Sequence, residues 1–149
     1  MKIYLCSRVA YDARPFNDQV AKALRDAGHD VYVPHEQAPN NLTQDDINAG
    51  RYDKATIFEI DYNALSKSDL VVAVGRLGKD CAWELGYAYG VGIPVVHVPG
   101  DDVTWETSPM MLPGLNEFTK ATVDTVADTV EQADRLRFQL FVAQSGGAL

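Results

Sequence analysis

Short apolar runs alternate with longer amphipathic stretches along this chain, and that alternation indicates the fold class. Ile3 to Cys6, His29 to Val33, Asp69 to Val74 and Pro94 to Val98 have strand length and β-branched character; Phe118 to Val123 is a weaker fifth run. Between the first two lies Arg14 to about Ala27, with Pro15 at its start, Gly28 as its stop and an apolar stripe of Val20, Ala23, Leu24 and Ala27. A second helix is expected from about Thr56 to Ser66, with Ile57, Ile60, Ala64 and Leu65 inward. A third runs from Cys81 to Val91, stopped by Gly92, and a last from about Thr125 to Phe141. Gln37 to about Asp53 is polar and reads as a loop with at most a short helical turn, and Gly100 to Gly114 is a long, partly acidic loop. Strands alternating with helices predict a three-layer α/β fold: a flavodoxin-like, five-stranded parallel sheet in the order 2-1-3-4-5, with helices on both faces. Its crevice opens between strands one and three, so the loops after those two strands should share it.

Composition narrows the classes of function. The 149 residues suit one domain, and the mix of 46% apolar and 23% charged residues is ordinary for a globular protein. A net charge of −8 argues against a nucleic acid polymer or an anionic membrane as partner, since both need a basic face. No run approaches the roughly 18 apolar residues of a membrane span, and the N-terminus enters a strand with no secretory pattern. Cys6 and Cys81, with three scattered histidines, offer no metal-ligand spacing; the thiols read as small buried groups in a reduced, cytoplasmic protein. Neither a metal nor a cofactor is expected.

Two carboxylates attract chemistry. Glu84 follows the strand ending at Val74 and is expected in the first turn of the third helix, where an ionised carboxylate could act as nucleophile or base at the mouth of the sheet. A solvated residue beside a helix cap is the competing reading. Asp61 sits beside the core stripe of the second helix, flanked by Ile60 and Leu65, and is either solvated or in the crevice. Asp69, eight residues on, marks the turn into the third strand.

Lys2-Ile3-Tyr4-Leu5, then Ile60-Asp61-Tyr62-Asn63-Ala64-Leu65-Ser66-Lys67-Ser68-Asp69, then Ala82-Trp83-Glu84-Leu85-Gly86-Tyr87-Ala88 occur in order. Together they resemble the nucleoside 2-deoxyribosyltransferase family and its sister branch, the 2′-deoxynucleoside 5′-phosphate N-hydrolases, over roughly residues 2 to 98. The resemblance implies a single domain of that kind over residues 1–143, with 144–149 as a flexible tail. It implies Glu84 as the nucleophile that attacks the anomeric carbon of deoxyribose, Asp61 as the acid that protonates the departing base, and Tyr4 as the hydroxyl that orients Glu84. The implied reaction is base exchange on 2′-deoxyribose through a covalent glycosyl-enzyme, within nucleoside metabolism and nucleotide salvage. Deoxynucleosides and nucleobases are the implied small-molecule partners. The alternatives are hydrolysis of a deoxynucleoside 5′-monophosphate with the same carboxylates, and a nucleotide-sensing module without turnover.

Other substrate contacts are expected from Ser7 and Arg8 after the first strand, Gln37 after the second, Gly78 and Asp80 before Glu84, and Asn116, where the family borrows residues from a neighbouring subunit. The family's sugar-contacting aspartate, six residues before the glutamate, is replaced here by Gly78, with the acid displaced to Asp80. The glycine pair that usually follows the serine and arginine of the hydrolases is Val9-Ala10. The apolar Thr104–Asn116 segment or the Tyr87–Tyr89 stretch is expected at the contact of a homo-oligomer, at least a dimer.

Overall fold

The computed structural model describes residues 1–37, 43–51, 53–100 and 120–144, without the side chains of 44, 47 and 137–144. Strands β1 (Lys2–Ser7), β2 (Asp30–Tyr32), β3 (Leu70–Val74) and β4 (Val95–Val98) form one parallel sheet in the order β2-β1-β3-β4. The helices are α1 (Arg14–Asp26), α2 (Gln44–Asn48), α3 (Lys54–Leu65), α4 (Lys79–Val91) and α5 (Val126–Gln144). The expected order therefore holds for its first four strands. The fifth is reduced, among the described residues, to a parallel bridge between His97 and Lys120, while 118 and 119 lie outside them.

Strand alternation divides the core into two layers. Ile3 and Leu5 of β1 point to one face and pack with Val20, Leu24, Val126 and Val130 of α1 and α5. Tyr4 and Cys6 point to the other and pack with Leu65 of α3 and Cys81, Leu85 and Ala88 of α4. β3 is buried along its whole length, as a central parallel strand covered on both sides must be. Gly28 and Gly92, both at positive φ, end α1 and α4 where the sequence places their stops.

Two helices depart from expectation. α4 begins at Lys79, two residues early, because extended Gly78 serves as its N-cap. Asp80 thus occupies the first turn, and Glu84 falls in the second, beyond the reach of the helix-end charge that was expected to favour its anion. α3 begins at Lys54 because the Asp53 carboxylate accepts from the backbone N–H of Ala55 and Thr56. Of its expected apolar stripe only Leu65 is fully buried; Ile57, Ile60 and Ala64 are partly exposed, and Ile57 lines a cleft instead of the sheet.

Candidate active site

The sheet register assembles the site. β1 and β2 pair Tyr4 with Tyr32, so the two rings lie side by side on the α3–α4 face, stacked at 5.4 Å with an interplanar angle of 12°. Each tyrosine donates to one carboxylate. Tyr4 Oη reaches Glu84 Oε1 at 2.7 Å, and Tyr32 Oη reaches Asp61 Oδ1 at 2.6 Å. Both are short O–H···O hydrogen bonds with the phenol as donor. Glu84 comes from α4, Asp61 from α3, Tyr4 from the middle of β1 and Tyr32 from the last residue of β2, so each acid is held by a strand of the sheet. Tyr32 carries no motif. The signal that could have found it is its place in β2 on the same face as Tyr4.

These groups line a cleft of about 530 Å³ between α3 and α4, which Asp80, Phe58, Tyr62 and Trp83 also border. Phe58 and Trp83 meet edge to face, and Trp83 stacks on Tyr87, giving the mouth an aromatic wall. Burial pushes the Glu84 carboxyl above its ordinary value; the Tyr4 and Cys6 hydrogen bonds pull it back, and the charges of Asp61 and Asp80 add to the upward push. Burial and the neighbouring carboxylates hold both tyrosine hydroxyls protonated, so they remain donors. The result is a part-buried carboxylate with its anion supported by one phenol, and a second carboxylate lining the same cavity.

Below Glu84, the Cys6 and Cys81 thiols and the Glu84 carboxylate bring one ligand atom each to within 4.8 Å of one another. Linear spacing does not reveal this group, because one member comes from β1 and two from α4. Burial pushes the Cys6 thiol up, whereas a hydrogen bond from Cys6 holds Cys81 below its ordinary value.

The family model described as nucleoside 2-deoxyribosyltransferase matches residues 3–139. The chain belongs to the nucleoside 2-deoxyribosyltransferase family. Among solved structures, it resembles a 2-deoxyribosyltransferase from Bacillus psychrosaccharolyticus at 25% identity and a TM-score of 0.65, covering 86% of this chain and 91% of that one. A conserved protein from Enterococcus faecalis V583 shares the fold at 22% identity and a TM-score of 0.63, covering 89% of this chain and 98% of that one. No curated protein matches the sequence significantly. The deoxyribosyltransferase family is one of glycosyl-transferring enzymes acting on nucleosides and nucleobases. No described helix is long and apolar enough to cross a membrane.

Tyr4, Asp61, Asp80 and Glu84 converge on one cleft, and the other expected contacts do not all join them. Ser7 is buried on the α1 side of the sheet by strand alternation, away from the two acids. Arg8 lies over the start of α4, its Cγ 3.5 Å from where a Gly78 side chain would begin, and pairs with Asp12 at 3.5 Å. It borders a separate cavity of about 420 Å³ together with Phe16, Asn17 and Arg76. Gln37 turns back to the Val33 carbonyl at 3.3 Å and faces neither acid. His35 and Glu36 pair with Asp18 and Arg25 of α1. Asn116 and the 104–116 segment lie outside the described residues.

Proposed function

We propose that this protein exchanges nucleobases on 2′-deoxyribose, with retention of configuration, through a covalent bond between Glu84 and the sugar. What supports the reading most is the Tyr4–Glu84 hydrogen bond of 2.7 Å inside a cleft that Asp61 also lines. Cleaving an N-glycosidic bond builds positive charge on the sugar and negative charge on the base. Glu84 attacks the anomeric carbon and stabilises the first; Asp61 gives its proton to the departing nitrogen and neutralises the second. The incoming base attacks the same carbon from the face the first one left, returning its proton to Asp61 and freeing Glu84. Two displacements retain the configuration. Tyr4 keeps the glutamate aimed, and Tyr32 does the same for the aspartate. The aromatic wall of Phe58, Tyr62 and Trp83 offers a stacking surface for a planar base.

Glu84→Ala should abolish exchange, and so should Glu84→Gln, because an amide is a poor nucleophile. The assay mixes a deoxynucleoside with a second free base and follows the new nucleoside. A well-folded Glu84→Ala protein turning over near the wild-type rate would end the reading. Release of free sugar without exchange would instead establish hydrolysis with the same carboxylates, the second reading. The half-exposed aromatic face of α3 and α4 supports a working homo-oligomer; a fully active monomer in light scattering would exclude it.

A further inference from the structure

We infer that Cys6 Sγ, Cys81 Sγ and the Glu84 carboxylate form a site for one thiophilic divalent cation of the zinc or cadmium class, and that a cation held there silences the nucleophile. The second half rests on the proposed role of Glu84; the first does not. All three ligand atoms lie within 4.8 Å of one another. Bond lengths of about 2.3 Å to sulfur and 2.0–2.2 Å to oxygen set neighbouring ligands of a tetrahedral zinc roughly 3.5–3.8 Å apart, so side-chain adjustments of about 1 Å or less complete the geometry. Cys81 and Glu84 stand three residues apart on one face of α4, and Cys6 approaches from the end of β1.

The surroundings suit a three-ligand site with an open fourth position. Glu84 lines the 530 Å³ cleft, through which a cation and its remaining water could enter. Tyr4 holds Oε1 and leaves Oε2 to turn towards the sulfurs. Hydrogen bonds of this kind orient ligating carboxylates, and their loss typically weakens binding about 10–100-fold. Binding forms two metal–sulfur bonds and one metal–oxygen bond and releases one proton from each thiol, with no change of oxidation state. A carboxylate bonded to a cation no longer offers its electron pair to an anomeric carbon.

The test titrates the full chain with cadmium under a phosphine reductant and reads the thiolate-to-cadmium charge-transfer band in the ultraviolet. One cadmium per chain with the band intensity of two thiolates is expected. Cys81→Ala should halve the band, and Glu84→Gln should keep it while weakening affinity about tenfold or more. If a cysteine variant fails to fold, the wild-type titration decides alone: no band at one equivalent overturns the site. Unchanged affinity in Glu84→Gln overturns the carboxylate as ligand. Zinc, measured by competition with a chromogenic chelator, should abolish base exchange at saturation and release it on chelation; full exchange by zinc-saturated protein overturns the silencing. A protein that binds cadmium as described yet never exchanges bases leaves the site standing and removes the proposed activity instead.

Discussion

At the scale of single residues, the site consists of two tyrosine–carboxylate pairs whose tyrosines stack on each other. The Tyr4 hydroxyl stabilises the Glu84 anion against the burial that pushes its carboxyl up. Removing that donor in Tyr4→Phe should raise the Glu84 carboxyl further. The acid limb of kcat/KM against pH should then move to higher pH, with the loss of rate largest on the acid side and shrinking above the limb. An unmoved limb in Tyr4→Phe would show that the phenol does not bear on Glu84. Tyr32 bears on the other acid. Tyr32→Phe should lower kcat by about tenfold or more while leaving KM nearly unchanged, since general-acid catalysis is typically worth about 10²–10⁴-fold and Asp61 loses its anchor without losing its proton. Bases that leave without protonation should be affected least; an equal loss for every leaving group would mark Tyr32 as structural only. Tyr4, Asp61 and Glu84 were legible because a motif carries them. Tyr32 was not, because its role depends on strand register, which brings it beside Tyr4 from 28 residues away.

At the scale of elements, the strands and the ends of α1 and α4 follow from apolar runs and from glycines at positive φ. Capping sets where α3 and α4 begin. Gly78 starts α4 early without a side-chain cap, and Asp53 starts α3 early with one. Neither displaces the acids, since Glu84 and Asp61 keep their helical faces, but each changes which residue feels the helix end. Ser7 and Gln37 stand apart from the two acids because strand alternation sends neighbouring side chains to opposite faces, and a polar loop residue satisfies the nearest backbone carbonyl first. α3 depends on one attachment, because Leu65 alone among its residues is fully buried in the core. Leu65→Ala removes that attachment and should cost about 2–5 kcal/mol of stability. Because Asp61 lies one helical turn before Leu65, the same variant should lose base-exchange activity in excess of its unfolded fraction. Thermal unfolding together with the specific activity of the folded protein checks both; a drop in Tm with activity intact would show that α3 does not need this anchor to present Asp61.

At the scale of the whole molecule, the sheet order β2-β1-β3-β4 sets Tyr4 of central β1 beside Tyr32 of β2, and the helices that precede and follow β3 carry the two acids over them. The same architecture buries a titratable group far along the sheet. His97 on β4 is fully buried, and its backbone carbonyl accepts from the N–H of Ala121, joining β4 to the segment that leads into α5. Burial, aided by the Lys120 charge and opposed by a backbone hydrogen bond involving Gly75, lowers the imidazole from 6.5 to about 4. The unfolded chain therefore takes up a proton near pH 6.5 that the folded protein refuses until about pH 4. Between those values the unfolded state binds more protons, so the stability that His97 contributes is complete above about pH 6.5 and is lost as the pH falls towards 4. Glu84 acts with the opposite sign, because its raised carboxyl favours the folded state at acid pH and that contribution is lost as pH rises. Comparing wild type with His97→Gln at each pH cancels the Glu84 contribution, which both proteins share. The urea midpoint of the wild type, relative to the variant, should fall between pH 7 and pH 4, because a glutamine takes up no proton in either state. Parallel midpoints for the two proteins across that range would place the acid sensitivity of the fold elsewhere than His97.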